Sequence, residues 1–331
     1  MTKIHEVSRR RLMMGIGAGA TVAAAGRVWP AGAQAAAFPS QDVHFISGSA
    51  AGSGADVIVR YFAEKMKPLL GRNVIVENRV GALGNIAAGY VARAKPDGHT
   101  LFITGANGLA ANIHMLNGQT NGPDTLQIVA TINRATMMIA VRANSPITSI
   151  PELTAAMKAK GEKASYAFTN PTSKVLGAMY RERAGLKAIE VPYRAGADFL
   201  NDLDNGTLDY AVPDNILAMA QARQGRMRLL AVGAAERMEA APDIPALAEF
   251  GYSVDIRSWW AALVPIATPR PVVERLNALF NQVVGSAETK AFLNSIASDP
   301  WVTTPDEAQA YLRRQVDDWG DYVRIARIEK Q

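Results

Sequence analysis

Short apolar runs alternate along the chain with longer segments whose apolar residues recur every three or four positions. The first run, at residues 43–47, is followed by a segment that places Ile58, Phe62 and Met66 on one helical stripe. The alternation continues and predicts strands joined by helices, which is typical of an α/β fold. Strands are predicted at residues 43–47, 73–77, 100–104, 127–133, 137–142, 165–168, 188–192, 208–212 and 228–232.

The predicted elements form two successive βα series and a long return. Residues 258–265 are almost wholly apolar and predict a buried segment that crosses back to the first series. We therefore expect two lobes, one of residues 38–140 with 258–331 and one of residues 141–257. Each lobe would hold a mainly parallel sheet flanked by helices. The ligand would bind in the cleft between them, because clefts between domains are favoured sites for small molecules.

The first 35 residues differ from the rest in charge and composition. They hold five basic residues, among them Arg9-Arg10-Arg11, against the single acid Glu6. A charge-free run at 12–26 and small residues at 31–35 follow, which is the layout of a cleaved export signal. The paired arginines resemble a twin-arginine signal, with an ordinary secretory signal and an uncleaved anchor as alternatives. All three place the folded domain in a bacterial periplasm.

Composition excludes several classes of site. The chain has no cysteine, so disulfides, thiolate metal sites and cysteine nucleophiles are excluded. The net charge is +5, of which the first 35 residues carry +4 (five basic minus one acidic), and the rest shows no basic cluster that predicts nucleic-acid binding. His44, His99 and His114 lack the spacing of metal ligands. We expect these histidines to be structural, with no metal, no cofactor and no catalytic residue.

The loop between the first strand and its helix consists of glycine, serine and alanine. It reads Gly48-Ser49-Ala50-Ala51-Gly52-Ser53-Gly54 and ends where the helix begins. The first N–H groups of a helix have no intrahelical acceptor, and the helix dipole adds positive charge there. Such a loop can bind an anion without lysine or arginine. A tight turn with no ligand is the alternative interpretation.

A dinucleotide-binding fold is the main rival. Gly52-Ser53-Gly54 lies between a strand and a helix, and Glu77 ends the second strand near the position of a ribose-binding acid. Val57 at the third glycine position and Asp56 near the pyrophosphate position argue against this fold. Because Gly52-Ser53-Gly54 and Glu77 still fit such a fold, an NAD-linked oxidoreductase is kept as the alternative function.

Several short motifs occur in a fixed order along residues 38–331. They are Gly52-Ser53-Gly54-Ala55-Asp56 with Arg60, Val76-Glu77-Asn78-Arg79, Gly81-Ala82 with Gly84-Asn85-Ile86, Pro96-Asp97-Gly98-His99, Val191-Pro192-Tyr193-Arg194, Pro242-Asp243-Ile244-Pro245 and Thr268-Pro269-Arg270-Pro271. In this order they resemble the extracytoplasmic solute-binding proteins of tripartite tricarboxylate transporters, the TctC or Bug family.

The resemblance implies a two-lobed, type II-like periplasmic-binding-protein fold that closes on its ligand. It implies a non-enzymatic receptor, expected to be a monomer, that binds a small organic carboxylate and delivers it to the membrane subunits of a tripartite tricarboxylate-type transporter. A sensor that presents its ligand to a signalling partner is a further alternative. By the same resemblance the ligand-binding positions are Ser49, Gly52, Ser53, Gly54, Asp56, Gly105, Ala106, Asn107, Thr172, Ser173, Arg194, Ala195, Gly196 and Asp214.

Departures from the family pattern concern the ligand more than the fold. Phe168 and Pro171 lie where the family has a loop rich in glycine and serine, and they would narrow or dry the pocket. This change favours a less polar acid. We expect one carboxylate of the ligand on the N–H groups of residues 48–54, with Arg194 or neighbouring backbone on the opposite side.

Overall fold

Eleven strands and ten α-helices are formed by the residues that the computed structural model describes, which are 38–119, 121–193 and 196–330. The strands are β1 (Val43–Ser47), β2 (Val74–Asn78), β3 (Thr100–Gly105), β4 (Leu126–Thr136), β5 (Met138–Arg142), β6 (Ser165–Phe168), β7 (Ile189–Pro192), β8 (Tyr210–Ala211), β9 (Met227–Val232), β10 (Arg257–Pro265) and β11 (Asp299–Pro300). The helices are α1 (Gly54–Leu70), α2 (Asn85–Ala92), α3 (Asn107–Met115), α4 (Ile150–Lys160), α5 (Pro171–Arg183), α6 (Gly196–Asp204), α7 (Asn215–Arg223), α8 (Arg270–Gly285), α9 (Ala287–Ser295) and α10 (Pro305–Ile325).

The first sheet has the strand order β11-β4-β10-β3-β1-β2. β1 runs parallel to β2 and β3, whereas β10 runs antiparallel to β3 and β4. The carboxyl ends of β1 and β3 therefore lie at one edge, where they lead into α1 and α3. Ligands of α/β sheets bind beyond the carboxyl ends of the strands, so this edge carries the first half of the predicted site.

The second sheet has the order β7-β6-β8-β5-β9. β6 runs parallel to β7 and β8, and β5 runs antiparallel to β8 and β9. The carboxyl ends of β6, β7 and β8 lead into α5, α6 and α7. These helix starts carry the second half of the predicted site.

The two sheets flanked by helices confirm the predicted fold class, and each sheet is more mixed than expected. The antiparallel members β5 and β10 adjoin the crossings between the sheets. β4 ends at Thr136 and β5 begins at Met138, so the chain passes almost directly from one sheet into the other. The return segment predicted at 258–265 is β10. The sheet changes a few residues before the expected boundary at 140, and the lobe boundaries themselves stay predictions.

Helix starts follow the capping residues in the sequence. Ser53, Asn170, Asp214 and Thr304 are N-caps whose side chains each accept a bond from a backbone N–H in the first turn. At the last of these, the Glu307 carboxylate accepts the Thr304 N–H in return, which completes a capping box.

Two helices were not predicted. α3 begins at Asn107-Gly108, a pair with low helix propensity that favoured a loop. His114, expected to be structural, lies in α3, and its Nε2 forms a hydrogen bond with the Val316 carbonyl of α10 (2.7 Å). The second missed helix is α9. Tertiary contacts therefore outweigh local propensity in α3, whereas α9 begins at a local cap, the Ser286 side chain.

The core contains the largest apolar side chains on both faces of the first sheet. Trp259 and Trp319 belong to one apolar cluster that reaches α3 and α10, and Phe62 packs with Phe280 on the opposite face. Within the described ranges, no helix is long and apolar enough to cross a membrane. The export signal expected in residues 1–35 lies outside the described residues.

Candidate functional site

The loop before α1 uses several of its own amides internally. Gly52 adopts φ 76°, a conformation that favours glycine, and its N–H donates to Asp56 Oδ2 (2.8 Å). The Ser53 hydroxyl accepts from the Asp56 N–H (3.3 Å) and caps α1. The Ser49 N–H donates to the hydroxyl of the serine two residues earlier (3.2 Å). These three predicted positions therefore shape the loop.

The first turn of α1 retains N–H groups for a ligand. Gly54 and Ala55 occupy the first two helical positions, and no described residue accepts their N–H groups. Both residues are half-buried. Unpaired amides at the positive end of a 17-residue helix are suited to a carboxylate oxygen.

Asp56 lies beneath this loop and holds it in shape. Its side chain is 3% exposed, and Oδ2 also accepts from Arg60 Nε (2.7 Å) while Oδ1 accepts from Asn78 Nδ2 (2.8 Å). Burial acts to raise the pKa of Asp56, but the bonds from Arg60, Asn78 and the Gly52 N–H outweigh it and lower the pKa. Both carboxylate oxygens are engaged within the protein, so Asp56 acts on the site through the loop.

Asn78 is a residue that the sequence analysis did not select for the site. It ends β2, donates from Nδ2 to the Ser49 carbonyl (2.9 Å) as well as to Asp56, and accepts from Arg60 Nη2 (3.2 Å). The sequence feature that could have identified Asn78 as a site residue is its place in the motif at 76–79, at the end of the strand that pairs with β1.

The second predicted segment of the first sheet follows β3. The Ala106 N–H donates to the Trp259 carbonyl (2.8 Å). Asn107 is 5% exposed; its Oδ1 accepts the Trp259 N–H (2.9 Å) and its Nδ2 donates to the Arg257 carbonyl (2.8 Å). The Asn107 side chain therefore fixes α3 to β10 and sets where Gly105 lies at the sheet edge.

The indole of Trp260 lies over Gly105. A Cβ built on Gly105 would lie 3.8 Å from both Cε2 and Nε1 of Trp260. Trp260 is half-buried, and its Nε1–H has no acceptor among the residues in the described ranges. An aromatic ring therefore borders this part of the predicted site.

Thr172 and Ser173 lie in the first turn of α5, as predicted, and have different surroundings. Ser173 Oγ accepts from the N–H groups of Thr169 and Asn170 and donates to the Asn170 carbonyl (2.9 Å). Ser173 is therefore part of a capping box. Thr172 is 7% exposed and makes no side-chain hydrogen bond with the described residues. Within the same ranges, no hydrogen bond joins either residue to the loop before α1.

Two further predicted positions, Gly196 and Asp214, lie near α7. Gly196 begins α6, and a Cβ on it would lie 2.2 Å from Leu217 Cδ2, so glycine permits close packing there. Asp214 Oδ1 accepts the Leu217 N–H (2.9 Å). Burial raises the pKa of Asp214, although the N–H groups of Leu217 and Ile216 oppose this shift. Arg194 and Ala195 lie outside the described residues.

The start of α7 meets the start of α1. A Cβ built on Gly54 would lie 3.1 Å from Ile216 Cγ2. Ile216 and Trp260 also pack against the same apolar cluster beneath α1. The structure therefore brings Gly54 together with the segment that follows Asp214, which local sequence patterns do not show.

Polar bonds anchor α7 beside this contact. Asn215 Nδ2 donates to the Ile296 carbonyl (2.6 Å), and the Arg223 guanidinium donates to the Ser295 carbonyl. Residues 295–298 run from the last residue of α9 into β11 of the first sheet. These bonds therefore link a helix of the second sheet to the first.

Residues 81–84, which precede α2, pack against Gly48 at the start of the loop before α1. Residues 81–84 all have positive φ, including Ala82 (45°) and Leu83 (52°), where a side chain costs energy. A Cβ on Gly48 would lie 2.9 Å from Gly84 Cα, and the Leu83 carbonyl accepts from Asn112 Nδ2 (3.1 Å). Residues 81–84 therefore lie between the loop before α1 and helix α3, and they contact both.

The geometry gives little support to a dinucleotide site at Glu77 or to a metal site. Glu77, considered as a ribose-binding acid, accepts from Arg79 Nη2 (2.9 Å), and its Oε1 lies 2.7 Å from His44 Nδ1. These partners lower the pKa of Glu77 against the opposing effect of burial. No group of three or more His, Cys, Asp or Glu residues in the described part of the chain could hold a metal ion.

Comparisons with known proteins agree with the two-sheet architecture. The family model described as "Tripartite tricarboxylate transporter family receptor" matches residues 58–327. A UPF0065 protein of Bordetella bronchiseptica is 30% identical over 301 residues, 90% of this chain and 89% of that protein. The periplasmic binding protein BugD is similar in structure, with a TM-score of 0.77, 28% identity and coverage of 89% of this chain and 100% of that chain.

R. palustris Rpa4515 with adipate has a TM-score of 0.79 at 25% identity and covers 89% of this chain and 100% of that chain. The family and these structural neighbours are solute-binding receptors, so the chain is a receptor and not an enzyme. The match over residues 58–327 means that the chain belongs to the TctC family, the tripartite tricarboxylate transporter family receptors.

Proposed function

We propose that this receptor binds a small organic carboxylate in the periplasm and delivers it to the membrane subunits of a tripartite tricarboxylate-type transporter. The carboxylate oxygens would accept from the N–H groups of Gly54 and Ala55. The observation that carries the proposal is that these two amides have no acceptor in the described part of the chain and lie at the positive end of α1.

The surroundings of these amides favour a small anion with an apolar body. Ile216 lies against Gly54, and the ring of Trp260 borders Gly105. The binding of adipate by the relative Rpa4515 also supports a carboxylate ligand.

Titration calorimetry with straight-chain mono-, di- and tricarboxylates tests this proposal. We expect saturable binding of at least one acid by the purified protein, and no binding of the corresponding amide, because a neutral amide lacks the charge that the helix end stabilises. Native mass spectrometry of the freshly purified protein would show a co-purified acid. Tight binding of NADH with no binding of any acid would contradict the proposal.

Export is part of the same proposal. The paired arginines of the first 35 residues would direct the folded protein through the twin-arginine route. Replacing Arg9 and Arg10 with lysine in the full chain should retain the protein in the cytoplasm, as judged by cell fractionation. Unchanged delivery to the periplasm by the double variant would favour an ordinary secretory signal.

A further inference from the structure

Leu83 has a backbone conformation that disfavours leucine. Its φ is 52° and its ψ is 37°, which is the left-handed region, where the Cβ of an L-residue lies too close to the following carbonyl oxygen. Glycine adopts this conformation without that cost, and Gly81 and Gly84 in the same turn also have positive φ. The leucine side chain therefore lowers the stability of this turn.

Packing of the side chain does little to offset that cost. Leu83 is 50% exposed, so about half of its surface stays in contact with water. The backbone is held by other groups: the Leu83 carbonyl accepts from Nδ2 of Asn112 (3.1 Å), a residue that is 2% exposed. The Gly84 N–H donates to the Gly81 carbonyl (3.0 Å) and closes the turn. Folding thus fixes the strained backbone and leaves the leucine side chain largely unused.

The turn contacts both loops that carry the first half of the predicted site. A Cβ built on Gly48, at the start of the loop before α1, would lie 2.9 Å from Gly84 Cα. A Cβ built on Gly108, in the first turn of α3, would lie 3.8 Å from the Leu83 carbonyl oxygen. Leu83 is therefore at the carboxyl edge of the first sheet, beside the segments that follow β1 and β3.

Other apolar side chains border the same edge. Ile216 lies against Gly54, and the Trp260 ring lies over Gly105. Residues in costly backbone conformations are concentrated at ligand-binding sites, where the surrounding structure keeps them in place. An exposed leucine at this edge is suited to contact the hydrocarbon part of an acid whose carboxylate binds the amide of Gly54.

We propose that Leu83 contacts the hydrocarbon chain of the bound acid and sets the preference of the receptor for acids with longer apolar chains. This inference rests on the proposed function and names a specificity-determining residue for it. Binding would cover the side chain that folding leaves exposed, so its apolar surface leaves water only in the complex. Leu83 therefore lowers the stability of the free protein and raises its affinity for a ligand of this kind.

Two series of straight-chain acids, mono- and dicarboxylates of two to eight carbons, test the proposal by titration calorimetry. In the series that the wild type binds, we expect the affinity to rise about two- to fourfold for each methylene that reaches Leu83. Leu83→Gly and Leu83→Asn should both remove most of this rise and leave the affinity for the shortest acid unchanged. Asparagine tolerates the left-handed conformation, so this variant removes the apolar contact and keeps the turn.

Matched controls separate the side chain from the strain and from a general loss of apolar surface. Ala82 has a φ of 45° in the same turn, so Ala82→Gly relieves similar strain and retains the leucine. Ile266 is 46% exposed and follows β10 at the opposite edge of the sheet, so Ile266→Ala removes a comparable apolar side chain. Both controls should keep the wild-type dependence on chain length. Without ligand, Leu83→Gly should unfold at the same or a slightly higher temperature than the wild type, because it removes the strain.

The outcomes that would overturn the proposal differ from those that would overturn the proposed function. A dependence on chain length that Leu83→Gly and Leu83→Asn leave intact would show that the hydrocarbon chain lies elsewhere, while the proposed function stands. An equal loss of the dependence in Ala82→Gly would assign the effect to the shape of the turn. Affinities of the wild type that do not change with chain length would also contradict the role of Leu83. Binding of no acid at all would remove both the inference and the proposed function.

Discussion

Gly54 of α1 and Ile216 of α7 lie so close that a single added carbon would reach from one to the other. A Cβ on Gly54 would lie 3.1 Å from Ile216 Cγ2, which is tighter than most side-chain contacts. Gly54 also carries one of the two unpaired amides at the start of α1. The same glycine therefore leaves an amide open to a ligand and lets the second sheet approach.

Gly54→Val should abolish carboxylate binding with little loss of stability. The added branch meets Ile216 and covers the amide, while the backbone of Gly54 is ordinary helix, in which valine is no less favourable than glycine. Calorimetry should show no binding, and circular dichroism should show a normal unfolding transition.

The double variant Gly54→Val/Ile216→Ala identifies the cause of that loss. If the clash with Ile216 prevents closure, the smaller alanine should restore part of the affinity, with a coupling of roughly 0.5–3 kcal/mol between the two sites. A strictly additive pair would mean that valine acts on the amides alone. Normal binding by Gly54→Val itself would show that the ligand lies elsewhere.

Asp56→Asn should destabilise the protein by roughly 2–3 kcal/mol at neutral pH, since bonds from Gly52, Arg60 and Asn78 to a charged acceptor are weakened. The folded-state pKa of Asp56 is lowered, so its stabilisation is present above the ordinary carboxyl pKa of 3.8 and is lost as the pH falls through the folded value. Urea unfolding from pH 7 down to pH 3 should show the wild type approaching the variant. Parallel curves across that range would contradict this account of Asp56.

Asp214→Asn should have the opposite effect. Burial raises the pKa of Asp214, so its favourable contribution is present when the carboxyl is protonated and is lost as the pH rises through the folded pKa. Asparagine caps a helix as well as aspartate does, without the charge. The variant should therefore be more stable than the wild type at pH 7, and the difference should shrink toward pH 4 in the same urea experiment.

Asn107→Ala should lower the free energy of unfolding by roughly 2–4 kcal/mol. It leaves the Trp259 N–H and the Arg257 carbonyl without their partner at a buried position. Asn107→Asp keeps the acceptor for the Trp259 N–H but sets an oxygen against the Arg257 carbonyl and buries an unpaired charge, so its loss of stability at neutral pH should be at least as large as that of the alanine variant. Chemical denaturation of the three proteins gives the order directly.

Trp260 should report ligand binding through its fluorescence. Trp259 and Trp319 are fully buried, whereas Trp260 is half-buried beside Gly105. A bound acid should protect Trp260 from acrylamide quenching. Trp260→Phe should lose this ligand-dependent protection, and Trp301→Phe, which removes a half-buried tryptophan packed against Trp259, should retain it. Equal protection in both variants would place the ligand away from Gly105.

The first three strands of the chain follow closely from the sequence. β1, β2 and β3 were predicted to within one or two residues because each is a short apolar run bounded by polar or glycine residues. The caps Ser53 and Thr304 also act as their residue types indicate. Local patterns sufficed there because local interactions decide these features.

The site depended on contacts that no local pattern records. The sequence placed Asp56 beside the expected anion, but its role follows from Asn78 and Arg60, which occupy its oxygens. The approach of Ile216 to Gly54 joins distant parts of the chain. α3 was missed because bonds from Asn107 to β10 stabilise a helix start that its own residues disfavour.

The anchoring of α7 bears on how long a solute stays bound. Ile216 follows Asn215 in α7. If α7 moves away from Gly54 when the ligand leaves, the hydrogen bonds from Asn215 to the Ile296 carbonyl and from Arg223 to the Ser295 carbonyl must lengthen or break. We expect Asn215→Ala to release its acid faster in stopped-flow experiments, and an unchanged rate would contradict this. The residence time of the bound acid would then depend on hydrogen bonds within the protein that the acid does not contact.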